Sequence, residues 1–375
     1  MVSDRTIWQA LQRRSVSRRD FLKFCTMMSA TLALPHSASA QIATALETKE
    51  RLPVVWLHLQ ECTGDDESFL RVADPTVTDI LLEVISLEYN ATLMADSGHH
   101  AEEKLQQATE HYAGRYVLVV EGSIPTGENA HFCTIAGRAA ENILREVSRD
   151  CAAIVALGAC AAWGGWPAAT PNPTGAQGVS QIIKDKPIVN LTGCPHNGVN
   201  LAATIVYYLT FGGLPELDSL GRPLFAHGKL IHDNCERRAH FDAGEFVAAW
   251  GDEGHRQGWC LYKTGCKGPV SYHNCPVVRW NEGHSWPVGA GHGCVGCSEV
   301  GFWEYPIYGV VPIFEVELPA AFPPVEEAPR ISVSLPAAGL GAVIGIAIGA
   351  AAVAAAMSRP RSDEAKESED REEQS

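Results

Sequence analysis

Basic residues are scarce in this 375-residue chain: 29 Lys and Arg stand against 44 Asp and Glu, a formal net charge of −15. Nucleic-acid binding wants a basic face, so no nucleic-acid partner is expected. Charged residues of both signs make up only 19% of the chain against 46% hydrophobic ones, enough apolar mass at this length for two domains with cores of their own. Part of the acid excess is local. The last residues, Ser362–Ser375 (SDEAKESEDREEQS), read as a solvated tail. A second scarcity is regular pattern: between Gly221 and Tyr308 neither a period of 2 nor one of 3.6 persists, so apolar burial alone would not hold that stretch.

Cysteine, by contrast, is plentiful, with twelve in the chain. A disulfide framework is the first reading for an exported protein, but that usage belongs to short, loop-rich domains, and metal ligation is its rival here.

Both ends read as lying outside the fold. Ser17-Arg18-Arg19-Asp20-Phe21-Leu22-Lys23 has the S-R-R-x-F-L-K form of a twin-arginine export signal. An apolar stretch follows to Leu34, and Ala38-Ser39-Ala40 offers a small-residue cleavage site before Gln41. Residues 1–40 are therefore expected to be a removable leader that takes Cys25 with it; the plainer alternative is a basic amphipathic start. This export route carries folded proteins, which suits a cofactor fitted in the cytoplasm. At the other end, the uncharged run Leu335–Met357 is long enough to cross a bilayer core of roughly 30 Å at about 1.5 Å per residue. Arg359 and Arg361 behind it favour a cytoplasmic tail over 358–375, which puts the globular part on the extracytoplasmic side of the cell membrane. Gly341, Gly345 and Gly349 would let another helix approach closely, though a plain anchor needs no such partner. The proline-rich stretch 319–334 reads as the tether.

Between these ends, Val54–Leu59, Tyr116–Val120, Ala152–Leu157 and Pro187–Leu191 read as buried parallel strands. Val77–Leu87, Glu102–His111, Ala136–Val147 and Asn200–Leu209 have helical spacing. The alternation predicts a doubly wound α/β domain, in which ligands gather beyond the carboxyl ends of the strands. Cys62, Cys160 and Cys194 each follow one of those strands in a glycine-bearing turn. One cysteine after a buried strand is usually a small apolar residue. Three at equivalent topological positions favour a metal or cluster site. Six more crowd the irregular region, Cys235, Cys260, Cys266, Cys275, Cys294 and Cys297, where metal–sulfur bonds or disulfides must supply the missing cohesion.

The motifs IHDNCERRAHFDAGEF, GWCLYKTGCKGP, CPVVRWNEGHSWPVGAGHGCVGC and SEVGFWE resemble the cluster-binding C-terminal domain of [NiFe] hydrogenase small subunits. HLQECTG, LGACAAWGG and LTGCPHNGVN resemble the loops of that family's flavodoxin-like N-terminal domain, and the leader and anchor are typical of its membrane-bound branch. The resemblance spans about Leu52 to Tyr308. It implies a flavodoxin-like domain over 52–215 with a proximal [4Fe–4S] cluster on Cys62, Cys160 and Cys194, and an irregular domain over 216–318 with two more. His232, Cys235, Cys260 and Cys266 would hold a distal [4Fe–4S] cluster, and Cys275, Cys294 and Cys297 a medial [3Fe–4S] cluster. Pro287 stands where the family has an inert residue in place of a fourth medial cysteine. Cys133 and Cys151 remain as structural residues.

One departure matters. The family usually reads C-T-G-C-x-E where this chain has Cys62-Thr63-Gly64-Asp65-Asp66-Glu67. Asp65 thus takes the place of the fourth proximal cysteine, as an aspartate does in some branches, and is expected to ligate iron as a harder donor. The alternative is a solvent-facing Asp65 beside a cluster completed otherwise. Gly64 and Gly165 occupy the positions of two extra cysteines in one oxygen-tolerant branch, so that branch's special proximal cluster is not expected.

The implied activity is electron transfer from hydrogen oxidation in a nickel–iron large subunit to a membrane cytochrome b or other quinone-linked acceptor. The nickel motifs need two C-x-x-C pairs, and this chain has only Cys294–Cys297, so no catalytic residue is expected in it. Glu67 resembles a residue of the proximal loop and is given no proton-transfer role. Two other classes compete: an exported binding module held by structural zinc, which zinc without iron would reveal, and a hydrogen sensor, whose family members typically lack leader and anchor.

Overall fold

Five short apolar runs pair into one parallel sheet in this computed structural model, which describes residues 6–13, 16–72, 84–281 and 283–313. The strands are β1 (Leu52–His58), β2 (Ile85–Asn90), β3 (Val117–Glu121), β4 (Ala153–Leu157) and β5 (Ile188–Leu191), in the order β2-β1-β3-β4-β5. All four pairings are parallel. That is the flavodoxin-like order, with strands buried on both faces as β3 and β4 are along their whole length. Successive residues feed opposite cores: Val54, Trp56, Val117 and Val119 enter one, Val55, Leu57, Leu118 and Val120 the other.

Three helices precede β1: α1 (Ile7–Arg13), α2 (Arg18–Thr31) and α3 (Ala38–Thr48). Sequence alone set residues 1–40 outside the fold, whereas in the intact chain Phe21, Phe24 and Met28 lie in the first core. Their spacing makes one apolar stripe on α2, which finds cover as long as the segment is attached. The other helices that matter are α4 (Gly64–Leu70), α5 (His99–His111), α6 (Ala140–Val147), α7 (Gly158–Trp163) and α8 (Gly198–Phe211). α8 starts at Asn197, whose side chain accepts the Val199 N–H, and stops at Gly212, whose φ of 72° suits glycine.

Two helices expected from spacing differ. Over Val77–Leu87 only Val84–Leu87 is described: Val84 is helical, and from Ile85 the chain is already β2, an edge strand whose Ile, Leu and Tyr fit a pleated surface. The helix expected from Ala136 begins at Ala140. Ala136 and Gly137, with φ of 49° and 76°, make a tight turn between the paired segments Thr134–Ile135 and Arg138–Ala139.

Beyond Leu214 the described chain has only helical pieces of five residues or fewer and isolated bridges. Its core cluster holds eight buried residues, three of them cysteines, so apolar area is a minor source of cohesion there. One buried cation compensates in part. Lys267 Nζ donates to the carbonyls of Pro306, Ile307 and Gly309 at 2.7, 2.6 and 3.1 Å, fastening the last described segment to the domain. Lys267→Met is expected to cost on the order of 2–3 kcal/mol and to open residues 305–313 to proteases, read by limited proteolysis and Tm. The tether 319–334, the apolar stretch 335–357 and the tail 358–375 lie outside the described residues. Among the described residues no helix is long and apolar enough to cross a membrane.

Candidate functional site

Strand ends build the first part of the site. Cys62 lies four residues past β1, Cys160 in the first turn of α7 just past β4, and Cys194 three residues past β5. The three thiols and Asp65 are close enough for their charges to interact. Burial, then the charges of Asp65 and Cys62, push the Cys160 thiol up to about 12, and burial, then Cys297 and Cys160, do the same to Cys194. A metal binding here would displace those protons, as at any thiolate site. The backbone leaves no room at two neighbouring positions. A Cβ on Gly165, whose φ is +59°, would stand 2.4 Å from Cys160 Sγ, and one on Gly64 would stand 3.2 Å from Cys62 Sγ.

Asp65 is buried in the first turn of α4, not solvent-facing. Its Oδ1 accepts from the His196 backbone N–H at 2.7 Å and lies 2.8 Å from His196 Nδ1. Its Oδ2 carries no hydrogen bond among the described residues and faces Gly158, where a Cβ would come within 2.1 Å. Below it lies a network that sequence reasoning missed. The Asp65 N–H donates to Glu121 Oε1 at 3.1 Å, Trp56 Nε1 to Glu121 Oε2 at 3.2 Å, His58 Nε2 meets Asp66 Oδ2 at 2.6 Å, and Asn90 donates to Asp66 Oδ1 at 3.1 Å. Burial, then the charges of Asp65, Asp66 and Glu61, push the Glu121 carboxyl up to about 8, so it is mostly neutral at pH 7. The signal was present: an acid ends the otherwise apolar strand VLVVE.

The second part is built from turns. None of the twelve cysteines is disulfide-bonded, which removes that source of cohesion. His232, Cys235, Cys260 and Cys266 line one small cavity. His232 is buried, its Nε2 has no hydrogen-bond partner among the described residues, and burial, then the nearby Arg238 charge, hold its pKa down at about 4. A neutral imidazole with an idle nitrogen is what a metal requires. Burial pushes the Cys235 and Cys260 thiols up to about 11. Cys275 and Cys294 are buried and Cys297 beside them is half-buried, and all three thiols are likewise raised by burial. Pro287 is exposed between buried Trp286 and Val288.

Backbone N–H groups are aimed at the sulfurs. Arg237 donates to Cys235 Sγ at 3.4 Å, Gly268 and Cys294 to Cys266 Sγ at 3.5 and 3.2 Å, and Gly296 to Cys294 Sγ at 3.3 Å. Cys297 in turn receives the backbone N–H of Cys194. Two of these bonds cross between groups: Cys194 to Cys297, and Cys294 to Cys266. His273, also missed from sequence, sits 3.0 Å from Cys275 Sγ through Nδ1 and hydrogen-bonds the backbone of Thr192, two residues before Cys194. Sulfurs that are buried, unpaired and met by N–H donors fit iron–sulfur ligation, where such bonds tune potential. Cys151 is buried in the second core, and Cys133 packs against it.

Comparison with known proteins agrees with this geometry. Residues 227–308 match the C-terminal family model of the NiFe/NiFeSe hydrogenase small subunit, and residues 62–208 match "NADH ubiquinone oxidoreductase, 20 Kd subunit". The chain is 50% identical over 316 residues to an uptake hydrogenase small subunit of Azotobacter vinelandii, covering 83% of this chain and 88% of the relative. It is 48% identical over 304 residues to the hydrogenase-1 small chain of Escherichia coli K12, covering 81% and 82%. Among solved structures, the [NiFeSe] hydrogenase of Desulfomicrobium baculatum aligns with a TM-score of 0.64 at 34% identity, covering 70% of this chain and all of that one. The chain therefore belongs to the [NiFe] hydrogenase small subunits, the iron–sulfur, electron-transfer halves of the hydrogenase heterodimer.

Proposed function

We propose that this chain carries electrons from hydrogen oxidation in its large subunit to a membrane acceptor, a cytochrome b or another quinone-linked protein, using two [4Fe–4S] clusters and one [3Fe–4S] cluster. Cys62, Cys160, Cys194 and Asp65 hold the proximal cluster, Cys275, Cys294 and Cys297 the medial, and His232, Cys235, Cys260 and Cys266 the distal. When bound, the clusters supply one-electron transfer between the partner's nickel–iron centre and the outside acceptor. The protein's own part is to keep eleven donors aimed and to neutralise sulfur charge with N–H groups. The observation that carries this reading is the pair of N–H···S bonds, from Cys194 to Cys297 and from Cys294 to Cys266, which splice the three donor groups into one series.

The leader, tether and anchor read from the sequence complete the proposal: residues 1–40 direct export, and 335–357 hold the globule at the outer side of the cell membrane. The test is metal and sulfide analysis of the chain purified with its large subunit, joined to spectra of the hydrogen-reduced protein. Roughly twelve irons per heterodimer, about eleven in the clusters and one in the partner's nickel–iron centre, with about twelve acid-labile sulfides and three separable cluster signals, are expected. Zinc without iron would overturn the reading. For the acceptor, a chain ending before residue 335 should keep dye reduction by hydrogen and lose hydrogen-dependent respiration in cells.

A further inference from the structure

Electron transfer leaves α2 and α3 unused, yet they are firmly packed. Phe21, Phe24, Cys25 and Met28 of α2, with Ile42 and Leu46 of α3, are all but fully buried and share one core with Leu201, Ile205 and Leu209 of α8. Polar contacts reinforce the seat. Lys49 Nζ donates to the Leu209 carbonyl at the end of α8, and Arg18 of the twin-arginine pair meets Glu47 of α3 at 2.8 Å and lies over the Trp8 ring.

Two consequences of this seat bear on assembly. Ala38-Ser39-Ala40 forms the first turn of α3, with Ala38 itself buried. A peptidase needs local unfolding before it can draw such a segment into its site. The second concerns place. Met27, Thr31 and Ala33, at the end of α2, wall a cleft of about 1450 Å³ whose other side includes Gly64, Glu67 and Pro195. Those three residues flank Cys62, Asp65 and Cys194. Whatever takes the place of α2 once the leader is removed lies against the proximal donors, where the partner that delivers electrons must be.

We propose that α2 and α3 form a latch on the unassembled chain: they occupy the apolar groove along α8 that the catalytic large subunit takes on docking, and that partner displaces them. The proposal rests on the small-subunit pairing and on residues 1–40 being a leader. Until the partner arrives, the apolar face of the leader and its cleavage site stay folded away. Once displaced, both are exposed on a chain that already has its partner.

The experiment uses the full unprocessed chain, alone and with its large subunit, and follows hydrogen exchange over residues 18–48 together with maleimide labelling of Cys25. Phe24→Asp, which changes only the segment to be removed, provides the undocked reference. In the free chain, exchange and labelling should be at least about tenfold slower than in Phe24→Asp. On adding the large subunit they should rise to the variant's rates, with iron content unchanged. Protection that persists in a co-eluting complex overturns the latch, and so does a free chain already exchanging at the variant's rates. An iron-loaded chain that fails to co-elute overturns the pairing itself, and the latch with it.

Discussion

Cys160→Ala is expected to lose about four of the chain's roughly eleven irons, the proximal signal with them, while the medial and distal signals remain. The change is small for the fold. Position 160 lies in the first turn of α7, alanine favours helix, and the neighbours Ala159, Ala161 and Ala162 carry the packing. For the site it is large. Cys160 is held just past β4, an inner strand between β3 and β5, with Gly165 closing over its sulfur. Changes to outer-shell residues of metal sites cost roughly 10–100-fold, and deleting a ligand at the entry of the series should exceed that. Hydrogen-driven reduction of a dye by the heterodimer, set beside iron content and spectra, measures it. A variant with its full iron and rate would remove Cys160 from the ligand set.

Asp65 gives the second large effect, and one with a finer signature. In Asp65→Ala, the proximal signal should change or vanish while the other two stay. Asp65→Cys should restore a proximal signal with a shifted midpoint potential, because a thiolate is a softer donor than a carboxylate. Asp65→Asn separates two roles. The amide can still accept the His196 N–H through its oxygen, but it puts an NH2 group in place of the Oδ2 that faces Gly158. If ligation matters, Asn should behave like Ala in redox titration while keeping more of the wild-type stability. Should all three variants keep the wild-type proximal signal, Asp65 is a structural residue that braces His196 and nothing more.

How much of this was legible beforehand follows from what periodicity can carry. The four strands other than β2 are mostly apolar runs and were readable within a residue or two, because a strand buried on both faces is built largely from apolar residues. β2 was hidden because an edge strand is only partly buried, and its ISLEYN follows directly on residues with helical spacing. The cysteines could be placed at strand ends from sequence because topology fixes where a sheet's loops converge. The network of His58, Asp65, Asp66, Glu121 and His196 could not, since its bonded pairs lie up to 131 positions apart and no local pattern joins them. The packing of α2 was equally out of reach: an apolar leader has the same sequence whether it is buried or waiting for a membrane.

The four-residue turn Cys294–Cys297 limits how the chain can be adjusted. One end of it receives an amide hydrogen from the group before, and the other end gives one to the group after. Gly296, at φ 78°, lets the turn close against Lys267 and Ser271, leaving little slack for either end to move alone. On the cluster route proposed above, this one turn would set both gaps, and lengthening one would alter the other. A conductor built this way can be retuned by changing charge around its sulfurs, but hardly by changing its distances.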